Sequence, residues 1–408
     1  CQTKALGDLR IDIPPESLMT TQRLQVEGSE IEIDVDPVVK ALDIQVVPPH
    51  ASDLRSDLTR VVDTLTEMGY GSVHFSYSAL ESFSEKFRAN DWHTTLVLRE
   101  QEIIAVLPSN SKIFGFAVDI GTTKIAAYLV SLESGKILAK AGEMNPQIAY
   151  GEDVISRIAY VNEHVDGLKT LQNKLMERLN EIVRILCNEA SINRDQIVDA
   201  VIVGNTAMHH IFFGLSVEQL GAAPYVPCVS DAINIPAALI GLRISSGAYV
   251  FSPPNIAGYV GSDHVSMLIA AGSHLQNNDA HTIISLDIGT NTEISLHHWG
   301  RHLSCSCASG PAFEGAHIGC GMRAAPGAIE RVKITPTEVN VKTVSGQPAV
   351  GICGSGILDA ISELVDLSIL DHRGVFVGNH PNLTRANGKN SLDLSFGIVS
   401  LRSSSLLG

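Results

Sequence analysis

AVDIGTTKIAAYLV, residues 117–130, and SLDIGTNTEISLH, residues 285–297, share the core Asp-Ile-Gly-Thr. Each copy lies between two apolar runs rich in β-branched residues, so each predicts strand, tight turn, strand. The flanks extend the pattern. KIFGFAVDIGTTKIAAYLVSLESGKILAKAGEMN reads as three strands joined by a Gly-Thr turn and a Glu-Ser-Gly turn, and HTIISLDIGTNTEISLHHWGRHLSCSCAS repeats the arrangement. Two such openings, each followed by helices, predict an α/β fold in which one domain is duplicated into two lobes.

The repeated turn has a chemistry. Gly121 and Gly289 allow close backbone approach and positive φ. Thr122, Thr123, Thr290, Asn291 and Thr292 add side-chain donors to a cluster of backbone N–H groups, which makes an anion nest suited to phosphate oxygens. Asp119 and Asp287 stand at the strand ends just before the turns. A carboxylate beside a phosphate repels it unless a cation intervenes, and Mg²⁺, held through waters by one or two carboxylates, meets that need. Two nests, one from each lobe, are expected to clamp one polyphosphate.

Between and after the two turns come helices. Residues 166–190 place Leu168, Leu171, Leu175, Leu179, Ile182, Val183 and Leu186 along one side. VDAVIVGNTAMHHIFFG is a buried strand and a helix that Asn205 or Thr206 caps. In GYVGSDHVSMLIAAG, Ser262 or Asp263 is placed to cap a helix. Gly354, Ser355 and Gly356 precede a helix whose N-terminus is expected to lie along the nucleotide. Ahead of all this, residues 1–23 are polar and irregular, LQVEGSEIEIDV alternates like a strand pair, DLRSDLTRVVDTLTEMGY has helical spacing, and WHTTLVLREQEIIAVLP reads as a hairpin. The predicted organisation is a linker (1–23), a small α+β domain (24–112), a first lobe (113–281) and a second lobe (282–408), the last expected to be incomplete.

The 408 residues are 45% hydrophobic and 18% charged, ordinary values for a chain with a real core. The formal net charge of −15, without a basic stripe, speaks against nucleic acid as a partner. No apolar run is long enough to span a membrane, and CQTKALGDLR lacks the basic and apolar regions of a signal peptide. Seven thinly spread cysteines are no disulfide framework and point to reduced thiols in a cytoplasm.

At these residues the chain resembles the superfamily of acetate and sugar kinases, seventy-kilodalton heat-shock proteins and actin, whose lobes are ribonuclease-H-like. It is most similar to one branch, the reductive activators of corrinoid proteins. The resemblance is carried by FAVDIGTTKIAAYLV, NPQIAYGEDVISRIAY, VGNTAMHHIFFG, GYVGSD, SLDIGTNTEISL, ASGPAFEGAHIGCGMRAAPGAIE and ICGSGILDAI, which together span about residues 115–366. It implies an actin-like ATPase that hydrolyses ATP and passes one electron to Co(II) of a corrinoid methyl-transfer protein, giving Co(I). The electron comes from an N-terminal [2Fe–2S] ferredoxin domain, and such proteins act as homodimers. Two departures stand out. The ferredoxin cysteine pattern is absent, although Cys1 looks like the family's last cluster ligand and QTKALGDLRIDIP like the segment behind it. The superfamily's later Gly-rich adenosine motif is not evident either, so either Gly354–Gly356 makes that contact or part of the second lobe is missing. The same two nests also suit a sugar or carboxylate kinase, or a nucleotide-gated scaffold without turnover.

Other candidates have ordinary readings beside functional ones. Cys305, Cys307, Cys320 and Cys353 lack the paired spacing of a metal site and read as small, semi-buried thiols. His209, His210 and the pair at His297 read as capping or surface histidines. Glu314, in a Gly-rich loop, is placed to position an attacking water. Lys124, directly after the first nest, either neutralises phosphate charge or faces solvent. Pro311, Gly315 and Gly327 shape backbone.

Overall fold

The computed structural model describes residues 34–272, 282–289, 291–309, 320–322, 324–386, 389–395 and 399–402. Cys1, the linker to residue 23, most of the expected strand pair at 24–35, Thr290, Pro311, Glu314 and Gly315 lie outside the described residues. The chain divides into two compact units. Among the described residues, one holds everything up to Asp287 together with Glu293–Ser306. The other holds Ile288–Thr292 and the residues from Cys307 on.

The first unit begins with a small α+β layer. Strands β1 (Val39–Gln45), β2 (His74–Phe75), β3 (His93–Arg99) and β4 (Glu102–Pro108) order as β1-β3-β4-β2. Helices α1 (Asp57–Glu67), α2 (Tyr77–Glu81) and α3 (Phe83–Ala89) supply Val61, Leu65, Ala79, Phe83 and Phe87 to its core. This layer is joined to the next by a close approach. A Cβ on Gly247 would lie 1.9 Å from the Ile104 carbonyl oxygen, Arg99 stacks on the Tyr249 ring, and the Tyr249 hydroxyl donates to Glu102 at 3.0 Å.

The main sheet of this unit contains β5 (Phe114–Ile120), β6 (Lys124–Ser131), β7 (Ile137–Met144), β8 (Ile197–Gly204), β9 (Ile233–Pro236) and β10 (Tyr249–Ser252), in the order β7-β6-β5-β8-β10-β9. β5 pairs antiparallel with β6 and parallel with β8, and β8 pairs parallel with β10. An antiparallel meander continued by parallel strands is the ribonuclease-H-like order expected of a lobe. The helices are α4 (Val154–Glu163), α5 (Gly167–Ala190), α6 (Thr206–Phe213), α7 (Ala237–Ile240) and α8 (Ser262–Ala270). α5 buries Leu171, Leu175, Leu179, Ile182 and Leu186 against Phe116, Ile125 and Leu129 of the sheet. Each fully buried side chain of this kind contributes about 1.5–3 kcal/mol, so the meander that carries the first turn rests on a rigid base.

The second opening repeats the first: β11 (Ile283–Ile288), β12 (Asn291–His298) and β13 (Arg301–Ala308) order as β11-β12-β13. In the other unit, β14 (Ala328–Ile334), β15 (Val339–Thr343) and β16 (Gly351–Ile352) form a sheet whose core includes Ile357, Ala360 and Leu364 of α9 (Gly354–Asp366). A fifth sheet comes last, of β17 (Leu383–Ala386), β18 (Lys389–Ser395) and β19 (Val399–Arg402).

Candidate functional site

The first turn is held from behind by its carbonyls. The Gly121 oxygen accepts from Asn145 Nδ2 at 2.9 Å, the Thr122 oxygen accepts from Arg157 Nη2, and the Thr123 oxygen accepts from the Asn145 N–H at 2.9 Å. Asn145 and Arg157 are buried. In a trans peptide the C=O and the following N–H point in opposite directions. The N–H groups of Thr122 and Thr123 therefore point away from these clamps, and neither has an acceptor among the described residues. Two adjacent N–H groups turned to the same side are donors of the kind that can receive an anion. Asn205 completes the frame. Its Oδ1 caps α6 by accepting from Met208 N at 3.0 Å, and its Nδ2 donates to the Thr122 hydroxyl at 3.1 Å. Lys124 opens β6, half-buried, with a partner inside the fold.

The glycines act by proximity rather than by φ. Neither Gly121 nor Gly289 takes positive φ. A Cβ on Gly121 would lie 2.7 Å from the Lys124 carbonyl oxygen, and one on Gly289 would lie 3.3 Å from that of Asn291. The turns are narrow, so the expectation of a left-handed glycine is corrected to one of tight backbone approach.

Four carboxyls gather in this unit. Burial and the nearby Asp287 push Asp119 up to about 6. Asp119 is itself solvent-exposed, so the direction of this shift is what bears on the site. Asp263, on the first turn of α8, is pushed up to about 8 by burial, then by Asp119, with Glu293 and Asp287 adding to it. Burial, with help from Asp287, also raises Glu293, which accepts from the Ser306 hydroxyl at 2.9 Å. Among the described residues no three His, Cys, Asp or Glu side chains are arranged to ligate a metal directly. Crowded, mutually repelling carboxylates suit hydrated Mg²⁺, which keeps several waters and is held at one remove. Glu293 is not marked as a site residue by the sequence motifs, and Asp263 is marked there only as part of a helix start. Glu293 does leave a signal: β12 buries its polar face, Glu293, Ser295 and His297, and leaves Ile294 and Leu296 only half-buried.

α8 is seated by contact rather than by a side-chain cap. Its N-cap is Gly261, and neither Ser262 nor Asp263 caps it. Ser262 Oγ instead accepts from the Gly204 N–H and donates to the Gly204 oxygen, both at 3.2 Å. His264 is fully buried and meets Ser295 at 2.6 Å, and Ser295 meets Ser304 at 2.6 Å. The helix that carries Asp263 is thus tied to β8 on one side and to β12 and β13 on the other.

Several sequence expectations change. His209 and His210 are buried, not surface groups. His210 bridges the Thr206 oxygen and the Cys228 and Val229 N–H groups. Burial first, then His210, lowers His209 to about 3. His297 is also buried, paired with His302 at 2.6 Å. Cys305, Cys307 and Cys320 are exposed and only Cys353 is buried, so the expected half-burial fails; Cys305 and Cys307 stand on the outward side of β13. In the other unit, Thr292 accepts from Ser309 at 2.5 Å and Asn291 accepts from the Gly289 N–H at 3.1 Å. There Ser355 is exposed, while a Cβ on Gly356 would lie 2.3 Å from the Ile329 oxygen, so Gly356 serves the packing of α9 on β14.

The acid cluster has a consequence in solution. Asp119 and Asp263 hold protons in the folded chain that the unfolded chain releases near pH 4. Between about pH 4 and pH 8 the native state binds more protons, so these groups make the ligand-free fold less stable as pH rises, with a flat contribution outside that window. Asp263→Asn is expected to show little stability difference from the unaltered chain near pH 4 and a growing advantage toward about pH 8. Urea unfolding midpoints at both ends of the window check this. An advantage that stays constant with pH would mean that Asp263 is not titrating against its neighbours.

Comparison with known proteins accords with this geometry. Family models match residues 28–112 as the RACo linker region, 114–276 as the RACo middle region, and 281–399 as the C-terminal domain of RACo, the ASKHA domain. The corrinoid activation enzyme RamQ of Eubacterium limosum is 33% identical over 361 residues, covering 86% of this chain and 58% of that protein. The [Co(II) methylated amine-specific corrinoid protein] reductase of Methanosarcina barkeri is 26% identical over 281 residues, covering 61% of this chain and 50% of that protein. The solved structure of a reductive activator for corrinoid, iron-sulfur protein superimposes with a TM-score of 0.77 at 32% identity, covering 93% of this chain and 63% of its own. The chain therefore spans about three-fifths of the length of its first relatives. No helix among the described residues is long and apolar enough to cross a membrane. With three regions of one family succeeding one another in order from residue 28 to residue 399, on an actin-like fold, the chain belongs to the RACo reductive activators.

Proposed function

We propose that this chain is the ATP-hydrolysing part of an activator that returns a corrinoid methyl-transfer protein from Co(II) to Co(I). The observation that carries the reading is the first turn, whose carbonyls are clamped by Asn145 and Arg157 so that the Thr122 and Thr123 N–H groups face outward beside Asp119. Its RACo membership and the names of its relatives supply the corrinoid partner.

In this reading Thr122 and Thr123 receive the phosphates, and Gly289, Thr290, Asn291 and Thr292 serve them from the second turn. Asp119 and Asp287, with Asp263 and Glu293 behind them, hold Mg²⁺ through its waters. The ion supplies charge neutralisation between carboxylates and phosphates. Glu314 positions the attacking water, and Gly354, Ser355 and Gly356 lie along the adenosine. Phosphoryl transfer then needs little covalent chemistry from the protein, only positioning and electrostatics. Lobe closure on nucleotide biases the partner interface. A typical coupling of about 1–3 kcal/mol equals roughly 40–130 mV for one electron, a useful contribution to reducing Co(II). A [2Fe–2S] ferredoxin domain, with Cys1 as one cluster ligand and residues 1–23 as the linker to it, would supply the electron. The small domain is 24–112 and the lobes are 113–281 and 282–408. The protein works as a cytoplasmic homodimer.

The test is ATP hydrolysis with Mg²⁺, with and without a Co(II) corrinoid methyl-transfer protein. Hydrolysis stimulated by that protein is the expected result. Turnover indifferent to it but started by a sugar or small carboxylate would replace the reading with a kinase. Nucleotide binding without turnover in either case would replace it with a scaffold.

A further inference from the structure

We infer that Arg157 is an anion-positioning residue of the nucleotide turn, a buried cation that charges the first nest from behind through the peptide group it grips. The inference rests on the nucleotide reading of that turn and adds to it a residue outside the Asp-Ile-Gly-Thr core.

Arg157 is fully buried and is among the largest side chains in the fold with no exposure. It sits in the first turn of α4, beside the apolar Val154 and Ile158. Among the described residues every hydrogen-bond partner it has is neutral. Nη2 donates to the Thr122 oxygen, Nε to the Gly151 oxygen at 3.0 Å, and Nη1 to Gln147 Oε1 at 3.2 Å, with Met208 Sδ at 3.1 Å. The contrast with the other buried arginine is informative. Arg60 pairs with Asp53 at 2.8 Å, as a structural buried cation should. Arg157 makes no ion pair among the described residues, and Asp153 acts on it only from a distance. Burial draws its pKa down to about 10, which still leaves it charged at neutral pH.

A buried charge without a counterion is costly, and hydrogen bonds to neutral groups offset only part of that cost. Arg157 is therefore poorly accounted for as glue. Its main bond supplies a better account. The Thr122 oxygen and the Thr123 N–H are the two ends of one peptide group. A charged donor on the oxygen polarises that group and strengthens the N–H at its far end. An anion received by the Thr123 N–H would be the missing counterion, one peptide unit away.

The experiment compares Arg157→Met, which keeps bulk, with Arg157→Lys, which keeps charge. Each is measured for its Mg·ATP dissociation constant, by competition against a fluorescent nucleotide, and for its unfolding midpoint without nucleotide. Arg157→Met is expected to fold with a lower midpoint, because the Thr122 and Gly151 oxygens and Gln147 Oε1 lose a buried donor, and to bind Mg·ATP about tenfold more weakly or worse. Arg157→Lys is expected to stay within about threefold. Unchanged binding in Arg157→Met would overturn the inference. So would equal loss in both variants accompanied by lower midpoints, since that is what a purely structural role predicts. If Arg157→Met does not fold, Arg157→Lys decides: affinity near that of the unaltered chain supports the role of the charge, and a tenfold loss removes it. Should the unaltered chain itself fail to bind Mg·ATP, the nucleotide reading falls and this inference falls with it.

Discussion

Asp119→Asn is expected to lower Mg²⁺-dependent ATP hydrolysis by about 10²–10³ while making the ligand-free protein more stable. The two effects share one cause. Asp119 stands at the end of β5, one residue before the turn that presents the Thr122 and Thr123 N–H groups. Its carboxyl is raised to about 6 by burial and by Asp287, and it is in turn a main cause of the raised Asp263. Asparagine keeps its size and removes the charge. The cluster then repels itself less, and the unfolding midpoint should rise by a few degrees, on the order of 2–4 °C per kcal/mol for domains of this kind. The same change removes the carboxylate nearest the nest, so the cation's hold on the phosphates is lost where charge develops. Stability gained with activity lost is the mark of a functional charge held against its own repulsion. Asp287→Asn should behave alike. Steady-state ATPase and thermal unfolding on both variants check this. Full turnover in both would remove the carboxylates from the mechanism, and a drop in activity with a matching drop in stability would make them structural.

Much of this site is legible in the sequence because it is local. The strand–turn–strand of β5 and β6 is encoded by apolar alternation around Gly121, and Asp119 and Thr122 need no distant neighbour to be noticed. The amphipathic stripe of α5 and the hairpin of β3 and β4 are readable for the same reason. The residues that act on the turn from elsewhere in the chain are not. Arg157 meets Thr122 across 35 residues of sequence, and in the sequence it is one arginine in an apolar helix. Asn145 comes after β7 like any strand-terminating asparagine until its Nδ2 is seen on Gly121. Asp263 reads as a helix cap because acidic residues favour first turns, whereas packing gives that place to Gly261 and leaves the carboxyl among Asp119, Glu293 and Asp287. His210 is a polar residue on a short helix, and only the Thr206 oxygen and the Cys228 and Val229 N–H groups make its burial tolerable.

Gly261→Ala is expected to be the most damaging small substitution near the site. A Cβ there would lie 2.3 Å from the Gly204 oxygen and 2.5 Å and 2.6 Å from the Asn205 Cα and carbonyl carbon. All three atoms are backbone, so no side chain can swing aside. The φ of −93° is open to alanine, and the cost is therefore steric. The start of α8 must retreat from the end of β8. That retreat breaks the paired Ser262–Gly204 bonds and strains the buried His264–Ser295 link. Overpacking costs about 1–3 kcal/mol, and each buried bond lost adds about 1 kcal/mol, so a loss of about 2–5 kcal/mol in unfolding free energy is expected. The site suffers as well, because Asp263 and Asn205 flank the point of retreat. A displacement of about 1 Å in a positioning group can cost on the order of 10² in rate, so ATP hydrolysis should fall by about that factor in whatever fraction remains folded. Gly272→Ala is the matched control: beyond the other end of the same helix, its Cβ would meet nothing within 4 Å. Denaturant unfolding and ATPase on the pair separate the effects. Equal behaviour of the two variants would mean that α8 is free to shift. Loss confined to Gly261→Ala would establish that the seat of α8 on β8 sets both the stability of the fold and the position of its third carboxylate.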